Sequence, residues 1–199
     1  MEKQMRKLLI TGFEPFGDDE INPSWDAVAR LPDIIKEYKL EKLLLPVTFG
    51  EAAKIVIQTA ERLSPDAILC IGQAGGRDAV TPELVGINLR YASIPDNSGY
   101  QPKDEPISAG AAAAYFSTLP MRKITSAISE AKISARLSYS AGSYVCNDLL
   151  YTLLSHFADS EIRVGFVHIP YSTEQNKQPC MDINEIIRAL TIAVENLDE

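Results

Sequence analysis

Apolar residues in this chain follow two patterns: short unbroken runs, and longer stretches in which they recur every three or four positions. Residues 7–11 form the first run and read as a strand, ending in the turn-rich Gly12-Phe13-Glu14-Pro15-Phe16-Gly17. Asn22-Pro23-Ser24 has the residue types that open a helix, and the stretch after it carries Trp25, Val28, Ala29 and Leu31. A second strand is predicted at 43–47. Over 51–63, Ala53, Ile55, Val56, Ala60 and Leu63 define a helix, which Ser64-Pro65-Asp66 stops. Residues 67–72 are wholly apolar, as in a strand buried on both faces. Strands and helices alternating in this way imply an α/β protein with parallel pairing and helical crossovers.

Residues 73–108 break the rhythm with several Gly and Pro residues. One alternating segment, 83–91, stands out from what otherwise reads as long loop, notably Ile94-Pro95-Asp96-Asn97-Ser98-Gly99. Loops of this length inside a compact domain are usually functional. Regular patterning resumes with a helix at 121–131 and a short strand at 135–139. Beyond Cys146, Leu149, Leu150, Leu153, Leu154 and Phe157 mark another helix. The apolar run 164–167 leads to His168, and a last helix spans 182–196. No repeat, linker or low-complexity tract divides the 199 residues, so one domain is expected.

The chemistry concentrates where these patterns meet. Cys146 stands at the start of its helix, where unpaired N–H groups and the helix dipole favour thiolate. His168 closes a strand, the end at which chemistry gathers in open α/β sheets. A thiol beside an imidazole makes a nucleophile, and such a pair usually needs a third group to orient the ring. Glu83 is the sharpest candidate. In the alternating segment it shares a face with Val85, Ile87 and Leu89, where a carboxylate must be paired. Asp78, Asp96 and Asp148 are weaker rivals. Cys70 lies among apolar neighbours and reads as inert core, Cys180 has no evident partner, and His156 reads as a packing or surface residue. The turn Gly72-Gln73-Ala74-Gly75-Gly76-Arg77 lacks both the Gly-Lys-Ser/Thr ending of a phosphate loop and the glycine spacing of a dinucleotide fingerprint.

Composition narrows the picture further. An apolar fraction of 46% and a charged fraction of 23% are ordinary for a soluble protein, and a formal charge of -8 argues against a nucleic-acid surface. No apolar run is long enough for a signal-peptide core or a membrane span. Three cysteines without metal-ligand spacing and two distant histidines argue against a metal site on pattern and point to a reducing, cytoplasmic compartment.

Taken together, the segments Gly12-Phe13-Glu14-Pro15-Phe16-Gly17, Asn22-Pro23-Ser24-Trp25, Gly72-Gln73-Ala74-Gly75-Gly76-Arg77, Thr81-Pro82-Glu83, Ile94-Pro95-Asp96-Asn97, Ala141-Gly142-Ser143-Tyr144-Val145-Cys146-Asn147 and His168-Ile169-Pro170-Tyr171 resemble the type I pyroglutamyl peptidases, or pyrrolidone-carboxylate peptidases, along essentially the whole chain. The resemblance implies a three-layer α/β/α sandwich with a mostly parallel twisted central sheet. It implies a cytoplasmic cysteine peptidase that removes an N-terminal pyroglutamyl residue from peptides through a thioester, with no cofactor, assembled as a homo-oligomer (tetramer or dimer). It places the catalytic cysteine, histidine and glutamate on Cys146, His168 and Glu83, and the lactam pocket on Phe13, Phe16, Gln73, Ile94, Tyr144 and Val145, with Asn22 nearby. Four positions depart from the family pattern, one of them Gly86 where alanine is usual. Leu84 and Ser93 stand where arginine is usual, and Asp148 where histidine often follows Cys-Asn. Two rival readings are a phosphorylase or nucleoside hydrolase using the glycine turn for phosphate, and an inactive homologue that only binds pyroglutamyl groups.

Overall fold

In the computed structural model, which describes residues 5–198, the first apolar run becomes β1 (Arg6–Phe13), two residues longer at its far end than the turn-rich sequence suggests. Residues 1–4 of the polar opening stretch, and Glu199, lie outside the described residues. Helix α1 (Pro23–Arg30) begins as expected: the Asn22 side chain caps it by accepting from the Ser24 N–H, and Pro23 sits where no intrahelical donor is needed. A two-residue strand β2 (Ile34–Ile35) then turns back onto β3 (Tyr38–Leu45). Strand β3 starts well before the predicted position, because its first half, Tyr-Lys-Leu-Glu-Lys, is polar on one face and hides the strand from an apolar-run reading.

Helix α2 (Glu51–Leu63) leads to β4 (Ala67–Gln73), every residue of which is buried. After the glycine turn come β5 (Thr81–Glu83), β6 (Val85–Ile87) and, past a long loop, β7 (Ala114–Phe116). Helices α3 (Met121–Glu130) and α4 (Val145–His156) precede β8 (Arg163–Ile169). A small parallel pair, β9 (Tyr171–Ser172) and β10 (Cys180–Met181), precedes the closing helix α5 (Ile183–Glu195).

The main sheet has the order β2-β3-β1-β4-β8-β5. Its four central strands are parallel, and both edge strands, β2 and β5, run antiparallel to their neighbours. Alternate residues of each strand feed separate cores. Leu8, Ile10, Leu69, Ile71, Val167 and Ile169 pack beneath α1, α3 and α5; Leu9, Ile68, Cys70, Val164 and Phe166 pack beneath α2 and α4. The result is the expected three-layer arrangement.

Two local expectations are corrected. Residues 135–139 do not form a strand. Their backbone makes four of the five bonds of a parallel ladder with β5 and its lead-in: Val80 N–H to Ser134 O, Arg136 N–H to Val80 O, Ser138 N–H to Pro82 O and Leu84 N–H to Ser138 O. The missing bond is the one Pro82 would donate, and proline has no N–H. Glu83 also does not share a strand face with Val85, Ile87 and Leu89. The chain leaves the main sheet at Leu84, so Glu83 belongs to β5 while Val85 and Ile87 belong to the β6–β7 hairpin.

That hairpin explains why α4 is buried nearly all round. The sheet covers one side of the helix and the hairpin the other. Gly86 permits the close approach, since a Cβ there would lie 2.9 Å from the Tyr151 backbone nitrogen. The Asn147 side chain fixes the register by accepting from the Ile87 N–H at 2.9 Å and donating to the carbonyls of Ile87 and Leu89.

Candidate active site

Three elements bring the proposed chemical residues together. Cys146 is the second residue of α4, following Tyr144 at the cap position. Its sulfur rests on Gly72, near the end of β4, where a Cβ would come within 2.9 Å of Sγ. In the parallel register of β4 and β8 the neighbour of Gly72 is His168. Adjacent strands lie about 4.8 Å apart with in-register side chains on the same face, so the sulfur rests over the strand position beside the one that carries His168, at the carboxyl ends of these strands. The Phe166 ring packs against the imidazole with centroids 4.7 Å apart and closes the space below both. Strand β5 supplies the carboxylate. Its register sets Thr81 opposite His168 and Glu83 opposite Phe166, and Glu83 Oε1 meets His168 Nδ1 at 2.7 Å. With Nδ1 held there, Nε2 is the ring nitrogen left for proton transfer.

Burial dominates the electrostatics. Glu83 is fully buried and His168 is 4% exposed. Desolvation acts against the Glu83 carboxylate, but the hydrogen bond and charge of His168, the nearby Ser138 hydroxyl and the Arg77 guanidinium together hold its pKa below the ordinary value. For His168, burial outweighs the pull of Glu83, and the Arg77 charge adds to it, so the imidazole pKa is lowered. The expectation of a thiol activated by its helix terminus is corrected. Burial, reinforced by the Glu83 charge, pushes Cys146 up to about 12, while Arg77 and its own backbone N–H act only weakly the other way. The resting pair is therefore thiol and neutral imidazole. Cys70 is likewise pushed up to about 12 by burial, consistent with inert core.

Beside the sulfur is a small recess lined by Phe13, Phe16, Asn22, Val47, Gln73, Tyr144, Val145 and Cys146. Ile94 lies instead in the wider adjoining cleft, with Phe16, Gln73 and Pro95. Tyr144 forms a wall, fixed edge-on against Phe49 at 5.3 Å and by its hydroxyl donating to the Pro95 carbonyl at 2.9 Å. Both amide side chains in the recess are engaged elsewhere. Asn22 caps α1 and donates to the Glu14 carbonyl; Gln73 donates to Asp19 and accepts from Gln175.

Of the rival carboxylates, Asp96 accepts from the backbone N–H groups of Phe49, Ser98 and Tyr100 and thereby folds the 94–100 loop. Asp148 pairs with Arg90 at 2.6 Å and accepts from the Gly50 N–H, and Asp78 pairs with Arg136 at the surface. Leu84 packs against the core under α3 and α5, whereas Ser93 is exposed. Sequence reasoning missed Val47, whose place in the recess has no local signal, and Arg77, whose partners are distant in the chain. Among the described residues no three His, Cys, Asp or Glu side chains are grouped to hold a metal. No helix among them is long and apolar enough to cross a membrane.

Comparison with known proteins bears on this geometry. Residues 6–199 match the family model described as pyroglutamyl peptidase. The chain belongs to the pyroglutamyl peptidase family. It is 46% identical to the pyrrolidone-carboxylate peptidase of Thermococcus onnurineus, covering 95% of this chain and 97% of that one. It is also 46% identical to that of Vibrio vulnificus, covering 94% and 90%. Among solved structures, the pyroglutamyl peptidase I of Bacillus amyloliquefaciens superposes with a TM-score of 0.94 at 41% identity over 98% of this chain and 95% of that one. These relatives support the peptidase reading and neither rival.

Proposed function

We propose that this member of the pyroglutamyl peptidase family is a cysteine peptidase that hydrolyses the bond after an N-terminal pyroglutamyl residue. Cys146 is the nucleophile, His168 the base and acid, and Glu83 the group that orients the ring. The reading rests on one observation above the rest: Cys146 Sγ packs on Gly72, the in-register neighbour of His168, whose Nδ1 is held by buried Glu83.

With the resting pair neutral, attack and proton transfer are coupled. As the sulfur bonds to the exocyclic carbonyl carbon, its proton passes to His168 Nε2, and the charge so formed faces Glu83. The imidazolium then protonates the departing amine as the C–N bond breaks, leaving a thioester. Water attacks the thioester, giving its proton to His168, and the thiol leaves with that proton. N–H groups in the first turn of α4 have no intrahelical acceptor and are placed to hold the oxyanion, worth about 3–4 kcal/mol for a good donor. The lactam ring occupies the recess, with Phe13, Phe16, Tyr144 and Val145 as its walls, Asn22 and Gln73 at its polar edge, and Ile94 at its outer rim. No step requires a cofactor.

We further infer a homo-oligomer, tetramer or dimer, acting in the cytoplasm. Exposed apolar side chains such as Phe116 and Tyr139 support association, and three free thiols suit a reducing compartment. The deciding assay is release of a chromogenic amine from its pyroglutamyl amide. Wild type releases it; Cys146→Ser and His168→Ala each abolish release, and iodoacetamide inactivates wild type in step with alkylation of Cys146. Full activity in either variant sinks the assignment.

A further inference from the structure

The oxygen of Glu83 that meets His168 also meets a cation. Arg77 Nη1 lies 2.6 Å from Glu83 Oε1, the atom 2.7 Å from His168 Nδ1, while the other carboxylate oxygen, Oε2, is buried without a hydrogen-bond partner. The same guanidinium donates to the Thr81 hydroxyl at 2.5 Å and, through Nη2, to the Ser140 carbonyl at 3.1 Å. It thus touches β5 on both sides of Pro82 and also the segment leading into α4. Among the described residues Arg77 is the only lysine or arginine paired with Glu83; position 84 is apolar and position 93 is a serine.

We propose that Arg77 is a positioning residue for the catalytic base, fixing the Glu83 carboxylate and tempering its hold on the His168 imidazole by sharing one oxygen with it. This rests on the peptidase reading above. A carboxylate oxygen that already accepts from a guanidinium is a weaker acceptor for a second donor. The imidazole is then oriented without being trapped as imidazolium, the form that cannot accept the thiol proton. The Thr81 and Ser140 contacts hold the edge strand and the approach to α4 at the same point. Arg77 remains 28% exposed at its side chain, so it works from the border of the site and outside the recess. The charged and titratable groups facing this point are Glu83 from β5, His168 from β8, Cys70 from β4, Cys146 from α4 and Arg77 itself.

The chain has only two histidines, so proton NMR of the imidazoles reads His168 directly once exposed His156 is replaced by Gln. In Arg77→Met, His168 should titrate higher by about half a pH unit or more, because a neighbouring positive charge is gone. The acid limb of kcat/KM should move with it. At the same time kcat should fall about ten- to a hundredfold while KM stays within about twofold, since Arg77 does not line the recess. Arg77→Lys should keep the wild-type titration but recover only part of kcat, because one ammonium cannot reach Thr81, Glu83 and Ser140 together. A folded Arg77→Met whose His168 titrates as in wild type or lower overturns the proposal, even if its kcat falls. If that variant does not fold, Arg77→Lys decides: unchanged kcat, or a moved titration, overturns it. The titration is read without substrate, so an inactive wild type would refute the peptidase reading separately.

Discussion

Gly72 is the position at which the active-site geometry is most open to a single-atom test. It lies in β4 with ordinary strand backbone, so alanine there adds a methyl group without a backbone penalty. That carbon would sit 2.7 Å from Phe166 Cζ and 2.9 Å from Cys146 Sγ, against an ordinary contact of 3.4–4 Å. Sulfur and ring must therefore retreat by about half an ångström to one ångström. The helix carrying the sulfur has little room, because Gly86 of the β6–β7 hairpin presses on its other side, against the backbone of Tyr151. Overpacking of this kind costs about 1–3 kcal/mol of stability, which for a chain of this size lowers Tm by about 2–12 °C. A reacting atom displaced by about one ångström can lose about a hundredfold in rate. Gly72→Ala should therefore reduce kcat for a pyroglutamyl amide by about ten- to a hundredfold, with KM little changed because Gly72 does not line the recess. The assay is steady-state release of the amine well below the melting point of the variant, with circular dichroism confirming the fold. A folded Gly72→Ala with kcat within about twofold of wild type would refute the placement of the sulfur over this glycine.

Two further outcomes concern stability. Arg90→Leu leaves the Asp148 carboxylate, whose side chain is 1% exposed, with only the Gly50 N–H as partner. Removing one member of a buried pair costs about 3–5 kcal/mol, so the urea midpoint should fall sharply; a loss under about 1 kcal/mol would show the pair to be unimportant. The two desolvated thiols set an alkaline limit. Cys70 and Cys146 are held near 12 by burial, whereas unfolded thiols ionise near 9, so the unfolded state loses protons first. Their contribution is complete below pH 9 and falls as pH rises from there towards 12. Cys70→Val, which keeps an apolar side chain at a site that is 1% exposed, should shrink the drop in urea midpoint between pH 8 and 10.5. An equal drop in variant and wild type would exclude Cys70 from the effect.

Legibility of the fold in the sequence depended on how each segment is buried. Strand β4 and helix α2 were plain because one is apolar throughout and the other has a single apolar stripe. Strand β3 was half hidden by its polar first residues, and β2, β7, β9 and β10 are only two or three residues long, too short for periodicity to register. The segment 135–139 has strand-like composition, but Pro82 on its partner removes one rung. At the site, the helix start at Cys146 and the strand end at His168 were readable as positions. Their protonation was not, because it is set by burial and by the charges of Glu83 and Arg77, which lie far from both residues in the chain. Glu83 was singled out as a carboxylate on an apolar face. Its burial has a different cause, the joint between the sheet edge and the 134–140 segment, and the partner that balances it, Arg77, had no signal beyond lying in a glycine turn.

Burial also links the chemistry of the site to the kind of substrate it can take. Thiol and imidazole rest neutral, and the charges of Glu83 and Arg77 meet one another. The recess is walled by aromatic and aliphatic side chains, and its two amides are already hydrogen-bonded within the protein. A free N-terminal ammonium entering this space would lose its water and find no anion facing it there, a cost of several kcal/mol. A pyroglutamyl ring carries no charge, and it asks only for partners to one N–H and one C=O. The desolvation that raises the thiol pKa is therefore the same property that excludes an open-chain N-terminus. Opening the recess to water would ease ionisation of Cys146 at the expense of that discrimination.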